Sequence, residues 1–300
     1  MYNWKAISIN GWYFRNQTPL EIIQLVKKAG FSACEFTGSQ LGSLSKKELL
    51  DLKDCAQKDG VKILDINTAC DMFQFSRGNF LSENEAHRKK AIQYITKTLD
   101  ICAFLNIPKL ILDTGTTVPY SQSREQQEKL WRQSWIKISE YAEQKKVALS
   151  LIIVPYRRVI NSKDGFYYSD YPREELFAQS RRTGAKRVGW VFDTANEMAG
   201  RKNMHGFSLA GEVQNYLKQG LDVVYLANHP GPMTRTFRRA LYHNCLREGY
   251  YTADDYRNLF TVLKKYRSQG QISLHLSVRC PSVDELKKER LYWEKLIRNT

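Results

Sequence analysis

The sequence of 300 residues has no long apolar run, and its longest, residues 148–155, has the length of a β-strand. A membrane-spanning helix needs roughly 18 or more predominantly apolar residues, so we expect no transmembrane segment. Residues 1–5 also lack the basic stretch and following apolar stretch of a signal peptide. These absences predict neither a membrane protein nor a secreted one.

Closely spaced cysteine pairs are absent as well. The six cysteines are scattered along the chain, at Cys34, Cys55, Cys70, Cys102, Cys245 and Cys280. Disulfide frameworks and thiolate zinc sites both use cysteines at short, recurring spacings, so the sequence predicts neither. Because free thiols persist in a reducing compartment, we expect a cytoplasmic protein.

Acidic residues are too few to balance the basic ones. Lysine and arginine total 46 against 31 aspartates and glutamates, which gives a net charge of +15. Such an excess attracts phosphorylated metabolites, carboxylates or nucleic acids without choosing among them. Polyanion-binding proteins concentrate their basic residues in a tail or stripe, whereas the clusters here are short. We therefore interpret most of this charge as solvated helix faces and expect no nucleic-acid partner.

Helix and strand signals alternate along the chain. Thr18 before Pro19 marks one helix start, and Ser45 with Glu48 forms a capping box at another. Short apolar segments rich in branched residues lie between the helices. They predict eight strands, over residues 6–9, 33–36, 62–66, 109–112, 149–154, 188–192, 223–226 and 272–276.

Near-continuous apolar strands indicate a parallel sheet that is buried on both faces. Eight strand–helix units in this length favour an α/β fold, a single (β/α)8 TIM barrel that forms one domain over residues 1–300. An open doubly wound sheet is the alternative. It is disfavoured because no glycine-rich phosphate-binding turn follows the first predicted strand.

Active-site groups of such a barrel lie at the carboxyl ends of its strands and in the loops that follow. The polar residues there are Asn10, Glu35, Asn67, Asp113, Tyr156, Arg157, Asp193, Asn196, Asn228, His229, His275 and Arg279. This mixture suits a small, anionic, hydroxylated molecule. For each residue a structural role is the alternative, since strand-end Asp and Asn often cap the next helix and Arg often pairs with surface acids.

Five short motifs occur in an order that is typical of one family of barrels. They are residues 29–36 (AGFSACEF), 188–196 (VGWVFDTAN), 226–231 (LANHPG), 247–250 (REGY) and 270–275 (GQISLH). Together they resemble the xylose isomerase-like barrels, a family that holds sugar phosphate isomerases and epimerases, hydroxypyruvate isomerase, tagatose epimerase and endonuclease IV. The resemblance spans nearly the whole chain.

The resemblance implies a divalent ion held by Glu on the fifth strand, Asp on the sixth, His on the seventh and Glu on the eighth. In this chain those places fall on Val154 (or Ile152, with the register shifted by two), Asp193, Tyr225 and His275. Only Asp193 keeps the family's residue type, and valine or isoleucine offers a hard cation no ligand atom. We therefore expect a degenerate site without the standard metal centre.

One other ligand set exists in the sequence. Asp193, His229 and His275 would together suit a transition metal such as manganese, zinc or cobalt. The favoured interpretation is that these histidines are neutral and form hydrogen bonds in a polar pocket. We accordingly expect no cofactor.

Three functions remain open. The first is a rebuilt isomerase or epimerase of a sugar, sugar phosphate or hydroxy acid, with His275 as general base, Asp193 orienting it, and Arg157 or Arg279 binding a carboxylate or phosphate. The second is a non-catalytic binding or regulatory descendant of the family. An endonuclease IV-like enzyme is disfavoured, because its multi-zinc cluster needs many ligands and this chain has five histidines. Family members often form dimers or tetramers, and a homo-oligomer is compatible with the sequence.

Overall fold

The computed structural model describes the residues that follow. They are 7–10, 14, 16–69, 80, 82–113, 117–119, 123–152, 166–168, 187–199, 206–228, 249–266, 270–275 and 282–300. Four of the predicted site residues, Tyr156, Arg157, His229 and Arg279, lie outside these ranges, as does Val154.

Eight strands close into a barrel, and their order around it is their order in the chain. They are β1 (Ile7–Asn10), β2 (Ala33–Thr37), β3 (Lys62–Asn67), β4 (Lys109–Asp113), β6 (Ala148–Ile152), β8 (Val188–Asp193), β9 (Leu221–Leu226) and β10 (Gln271–Leu274). A short antiparallel pair, β5 (Thr117–Pro119) with β7 (Phe166–Tyr168), forms a separate sheet. The predicted (β/α)8 barrel is confirmed.

Helices follow the barrel strands. They are α1 (Pro19–Lys28), α2 (Gly38–Gly42), α3 (Lys46–Asp59), α4 (Glu85–Leu105), α5 (Arg124–Lys145), α6 (Thr194–Ala199), α7 (Leu209–Lys218), α8 (Ala253–Lys265) and α9 (Val283–Arg298). The predicted capping box at α3 is confirmed, since Ser45 Oγ accepts from the Glu48 N–H and the Glu48 carboxylate accepts from the Ser45 N–H. Within the described chain, no helix is both long and apolar enough to cross a membrane.

The contacts group the elements into two units. The first comprises the described parts of 1–36, 44–64 and 190–300, where β10 pairs with β1 and β9, and α8 packs on α7 and α9. The second comprises the described parts of 37–43 and 65–189, where β4 pairs with β6 and α4 packs on α5. The single domain over residues 1–300 stays a prediction.

Polar side chains occupy part of the barrel interior in the first unit. Ser8, Glu35, Tyr225 and Ser273 are each fully buried on barrel strands, and Ser273 is the register partner of both Ser8 and Tyr225. Interior layers of such barrels are usually dominated by Val, Ile and Leu. A buried carboxylate such as Glu35 is stable only where hydrogen-bond donors replace its water. The polar layer therefore marks the part of the barrel where the candidate site lies.

Candidate functional site

Asp193 and His275, the two residues predicted to be catalytic, lie side by side. Asp193 is the last residue of β8, His275 follows β10 directly, and β9 lies between these two strands. The Nδ1 atom of His275 is 3.3 Å from Oδ2 of Asp193, and the two residues are 4% and 2% exposed. A buried carboxylate beside an imidazole orients the ring and stabilises the imidazolium that forms when the ring takes up a proton.

The second carboxylate oxygen of Asp193 starts helix α6. Oδ1 accepts hydrogen bonds from the backbone N–H groups of Ala195 at 2.9 Å and Asn196 at 3.0 Å. This contact is typical of a helix cap, and it fixes the carboxylate so that Oδ2 faces His275. Asp193 thus has the capping role that is common for an aspartate at the end of a strand, and its predicted orienting role toward His275 stays a prediction.

The ring of Tyr225 covers one face of the His275 imidazole. The two ring centroids are 4.5 Å apart, and the ring planes differ by 18°. Tyr225 lies on β9 as the register partner of Asp193 and is fully buried. Offset stacking of this kind is favourable because the π-systems carry opposed partial charges at face and edge. The prediction of site residues missed Tyr225, although a large polar side chain at the family's histidine position was a signal for it.

Glu35 lies at the hydroxyl end of the Tyr225 ring and accepts hydrogen bonds from neutral donors on other strands. Oε2 accepts from the Tyr225 hydroxyl at 2.9 Å and from Asn10 Nδ2 at 3.3 Å. Oε1 accepts from Gln271 Nε2 at 3.2 Å and from Ser8 Oγ at 3.3 Å. The side chain predicted to bind substrate therefore lies in the barrel interior and is linked to His275 through Tyr225; its contact with substrate stays a prediction.

Asn228 anchors the chain that leads into α8. Its Nδ2 donates to the Tyr251 carbonyl at 2.8 Å, and its Oδ1 accepts from the Tyr251 N–H at 3.0 Å. Gly249 faces this amide so closely that a Cβ atom there would lie 2.7 Å from the Asn228 Cβ. The geometry supports an anchoring role for Asn228, whose predicted substrate contact is untested.

Two further predicted residues, Asp113 and Asn196, lie at or just after the ends of barrel strands. Asp113 ends β4 as the register partner of Ile152 at the end of β6. Asn196 is largely buried in α6, and its backbone N–H binds Asp193. Neither arrangement tests a role in substrate binding.

The donor atoms described here do not fit the family's divalent metal. Among the described residues, no three His, Cys, Asp or Glu side chains are grouped so that they could hold an ion. Ile152 has no donor atom, the Tyr225 hydroxyl points to Glu35, and Asp193 Oδ1 is engaged by α6. A hard divalent cation needs several oxygen or imidazole ligands that converge on one point, and the described residues do not supply such a set.

The chain matches the family model of the xylose isomerase-like TIM barrel over residues 23–296. It therefore belongs to this family. No curated protein sequence matches it.

Solved structures with the same fold include sugar epimerases. L-Ribulose 3-epimerase superposes with a TM-score of 0.73 at 13% identity, over 98% of this chain and 95% of that one. D-Psicose 3-epimerase in the presence of D-fructose gives 0.70 at 14%, over 97% and 99%. The IolI protein with a bound zinc atom gives 0.74 at 14%, over 98% of each chain. At these identities the likeness is one of fold.

Proposed function

We propose that this chain is a sugar or sugar phosphate isomerase or epimerase that works on a small anionic hydroxylated metabolite without the family's standard metal centre. The contact between Asp193 and His275 carries the proposal, because an imidazole beside a buried carboxylate at the carboxyl ends of barrel strands is the arrangement that a general base requires. The family and the two sugar epimerases of the same fold support a sugar as the substrate class.

Aldose–ketose isomerisation needs a base that removes a proton from the carbon next to a carbonyl. His275 takes this proton on its imidazole, and Asp193 stabilises the resulting imidazolium. The same imidazolium then returns the proton to the former carbonyl carbon. The proton of the hydroxyl oxygen passes to the former carbonyl oxygen within the cis-enediolate, so no further proton donor is needed. One base serves one face of the substrate, so the pair favours isomerisation over epimerisation, which returns the proton to the opposite face.

The charge of the sequence supports an anionic group on the substrate. Arg157 follows the fifth barrel strand, and Arg279 follows the eighth. Residues 227–252, between the seventh strand and α8, include four arginines and one glutamate. Arginine forks bind carboxylate and phosphate by paired hydrogen bonds. We expect no nucleic-acid partner, and the cytoplasmic location likewise stays a prediction.

Deuterium exchange tests the proposed reaction. Protein treated with a chelator is incubated in D2O with a panel of ketose and aldose phosphates, and proton NMR follows loss of the signal at the exchanging carbon. We expect exchange by the wild type, and His275→Gln should remove it because no base remains. His87→Gln is the matched control, since His87 is exposed on α4 and the variant should exchange at the wild-type rate.

A binding-only descendant is the second candidate. It is favoured because both family glutamates are replaced: Val154 or Ile152 stands in place of the first, and His275 stands in place of the second. In the same experiment it would bind a phosphate without any exchange, and saturation-transfer NMR detects such binding. Chemistry that survives in His275→Gln would refute the role of His275. A wild type that neither exchanges nor binds any member of the panel would refute both candidates for this substrate class.

A further inference from the structure

We infer that Tyr225 and Glu35 form a positioning pair that holds the His275 imidazole against Asp193. The catalytic meaning of the pair rests on the proposed function, whereas its effect on the imidazole can be measured without any substrate. Neither residue is placed where it would react. Each acts through another side chain, Glu35 on Tyr225 and Tyr225 on His275.

The contact with Asp193 alone leaves the imidazole free to turn. Oδ2 of Asp193 meets one edge atom of the ring, Nδ1, at 3.3 Å. The ring is attached through its Cβ–Cγ bond, and a single edge contact at this distance still allows it to rock about that bond. The Tyr225 ring removes this freedom because it covers a face of the imidazole at 4.5 Å, with the two planes nearly parallel. An edge contact and a face contact together define the plane of the ring.

Glu35 in turn fixes the Tyr225 ring. The hydroxyl at the far end of the ring donates to Oε2 of Glu35 at 2.9 Å, and a hydrogen bond to a carboxylate is stronger than one between neutral groups. Asn10 on β1 and Gln271 on β10 donate to the same carboxylate. The phenol ring is therefore held at its backbone end by β9 and at its hydroxyl end by Glu35 on β2, whose carboxylate is bound from β1 and β10.

The consequence is a defined tautomer of His275. Nδ1 faces a carboxylate oxygen, which accepts a hydrogen bond and cannot donate one when ionised. The negative charge 3.3 Å from Nδ1 favours the neutral tautomer that carries its proton on Nδ1 and leaves the lone pair on Nε2. Nε2 is then the nitrogen that takes the substrate proton in the proposed reaction.

Nitrogen NMR of the histidine rings tests the pair. Long-range proton–nitrogen correlation of uniformly 15N-labelled protein at about pH 8.5, above the reference pKa of histidine, distinguishes the two tautomers of a neutral ring. His275→Gln identifies the His275 signals by their loss. We expect wild-type His275 to show Nδ1 protonated and Nε2 unprotonated, and Tyr225→Leu to show averaged signals because the face contact is gone.

Tyr225→Phe removes only the hydroxyl and keeps the ring. We expect its His275 nitrogen signals to lie between those of the wild type and those of Tyr225→Leu. Two variants serve as matched controls. Tyr256→Phe loses another buried phenol hydrogen bond, 2.7 Å to the Ala227 carbonyl. Ser273→Ala loses a hydroxyl of the same barrel layer that makes no hydrogen bond to any residue the structure describes. Both should keep the wild-type His275 signals.

Several outcomes overturn the inference. They are an averaged tautomer in the wild type, wild-type signals in both Tyr225 variants, or an equal change in Tyr256→Phe. Circular dichroism shows whether each variant is folded, and Tyr225→Phe keeps the test valid if Tyr225→Leu does not fold.

A fixed tautomer without deuterium exchange would refute the proposed reaction and leave the positioning pair standing. Where exchange occurs, Tyr225→Phe should lower kcat about tenfold with little change in KM, since the ring acts on the base and not on substrate affinity.

Discussion

Alanine at Gly249 should destabilise the protein by an amount that the local geometry sets. The new Cβ would lie 2.7 Å from the Asn228 Cβ and nearer still to its amide carbon and oxygen. This penalty is steric. Asn228 must move, and it then loses its two hydrogen bonds to the Tyr251 backbone.

The magnitude follows from these losses. Two hydrogen bonds contribute about 2 kcal/mol, and a crowded buried contact costs about 1–3 kcal/mol. The smaller entropy of alanine in the unfolded chain offsets about 0.4–1 kcal/mol. We expect urea denaturation to show a loss of about 3 kcal/mol in the free energy of unfolding, with an unchanged slope.

Gly42→Ala is the control, because a Cβ there meets no atom within 4 Å and should leave stability unchanged or raise it. A double-mutant cycle with Asn228→Ala locates the effect. In that background Gly249→Ala should cost less, since the amide carbon and oxygen that it clashes with are gone and only the contact with the Cβ of residue 228 remains. Equal costs in the two backgrounds, or a Gly249→Ala variant as stable as Gly42→Ala, would refute the reasoning.

Three further predictions concern the site and the helix ends. Asp193→Asn keeps an oxygen for the α6 cap but loses the charge beside His275. Thermal stability should therefore change little, while deuterium exchange should fall at least about a hundredfold. A loss of stability with normal exchange would contradict this prediction. Hydrogen bonds from Ser45 hold the pKa of Glu48 below its usual value. Its contribution to stability is therefore present above the unfolded pKa and is lost as pH falls through the folded pKa, so Glu48→Gln should flatten the acid limb of a melting-temperature profile, and an unchanged limb would refute it. Chelation should leave both melting temperature and exchange unchanged, and plasma mass spectrometry of untagged protein should find well under one equivalent of manganese, zinc or cobalt; near one equivalent would overturn the metal-free proposal.

Local signals in the sequence predicted the elements well. The capping box of Ser45 and Glu48 sits where α3 starts, because its hydrogen bonds span only three residues. The strand predicted over 149–154 is Ala148–Ile152 in the structure. The barrel was predictable because eight strand–helix units repeat along the chain. The lack of a glycine-rich turn after the first strand disfavoured an open sheet.

The contacts inside the barrel were not predictable from the sequence, whereas those at the strand ends were. Asp193 and His275 meet there, as their positions indicate. Glu35 does not end its strand, because β2 continues to Thr37 and pairs Glu35 with Asn10. Its link to Tyr225 joins residues 190 positions apart, and no local pattern carries that information.

The donors of Glu35 also reach the ribosome exit at very different times. Asn10 precedes Glu35 in synthesis, but Tyr225 and Gln271 are added only after most of the chain has been made. Until then the carboxylate keeps its water, because a buried charge without donors is strongly disfavoured. The first two strands cannot settle into a dry interior by themselves. We therefore expect closure of the barrel to be a late step, in which the last strands displace the water around Glu35.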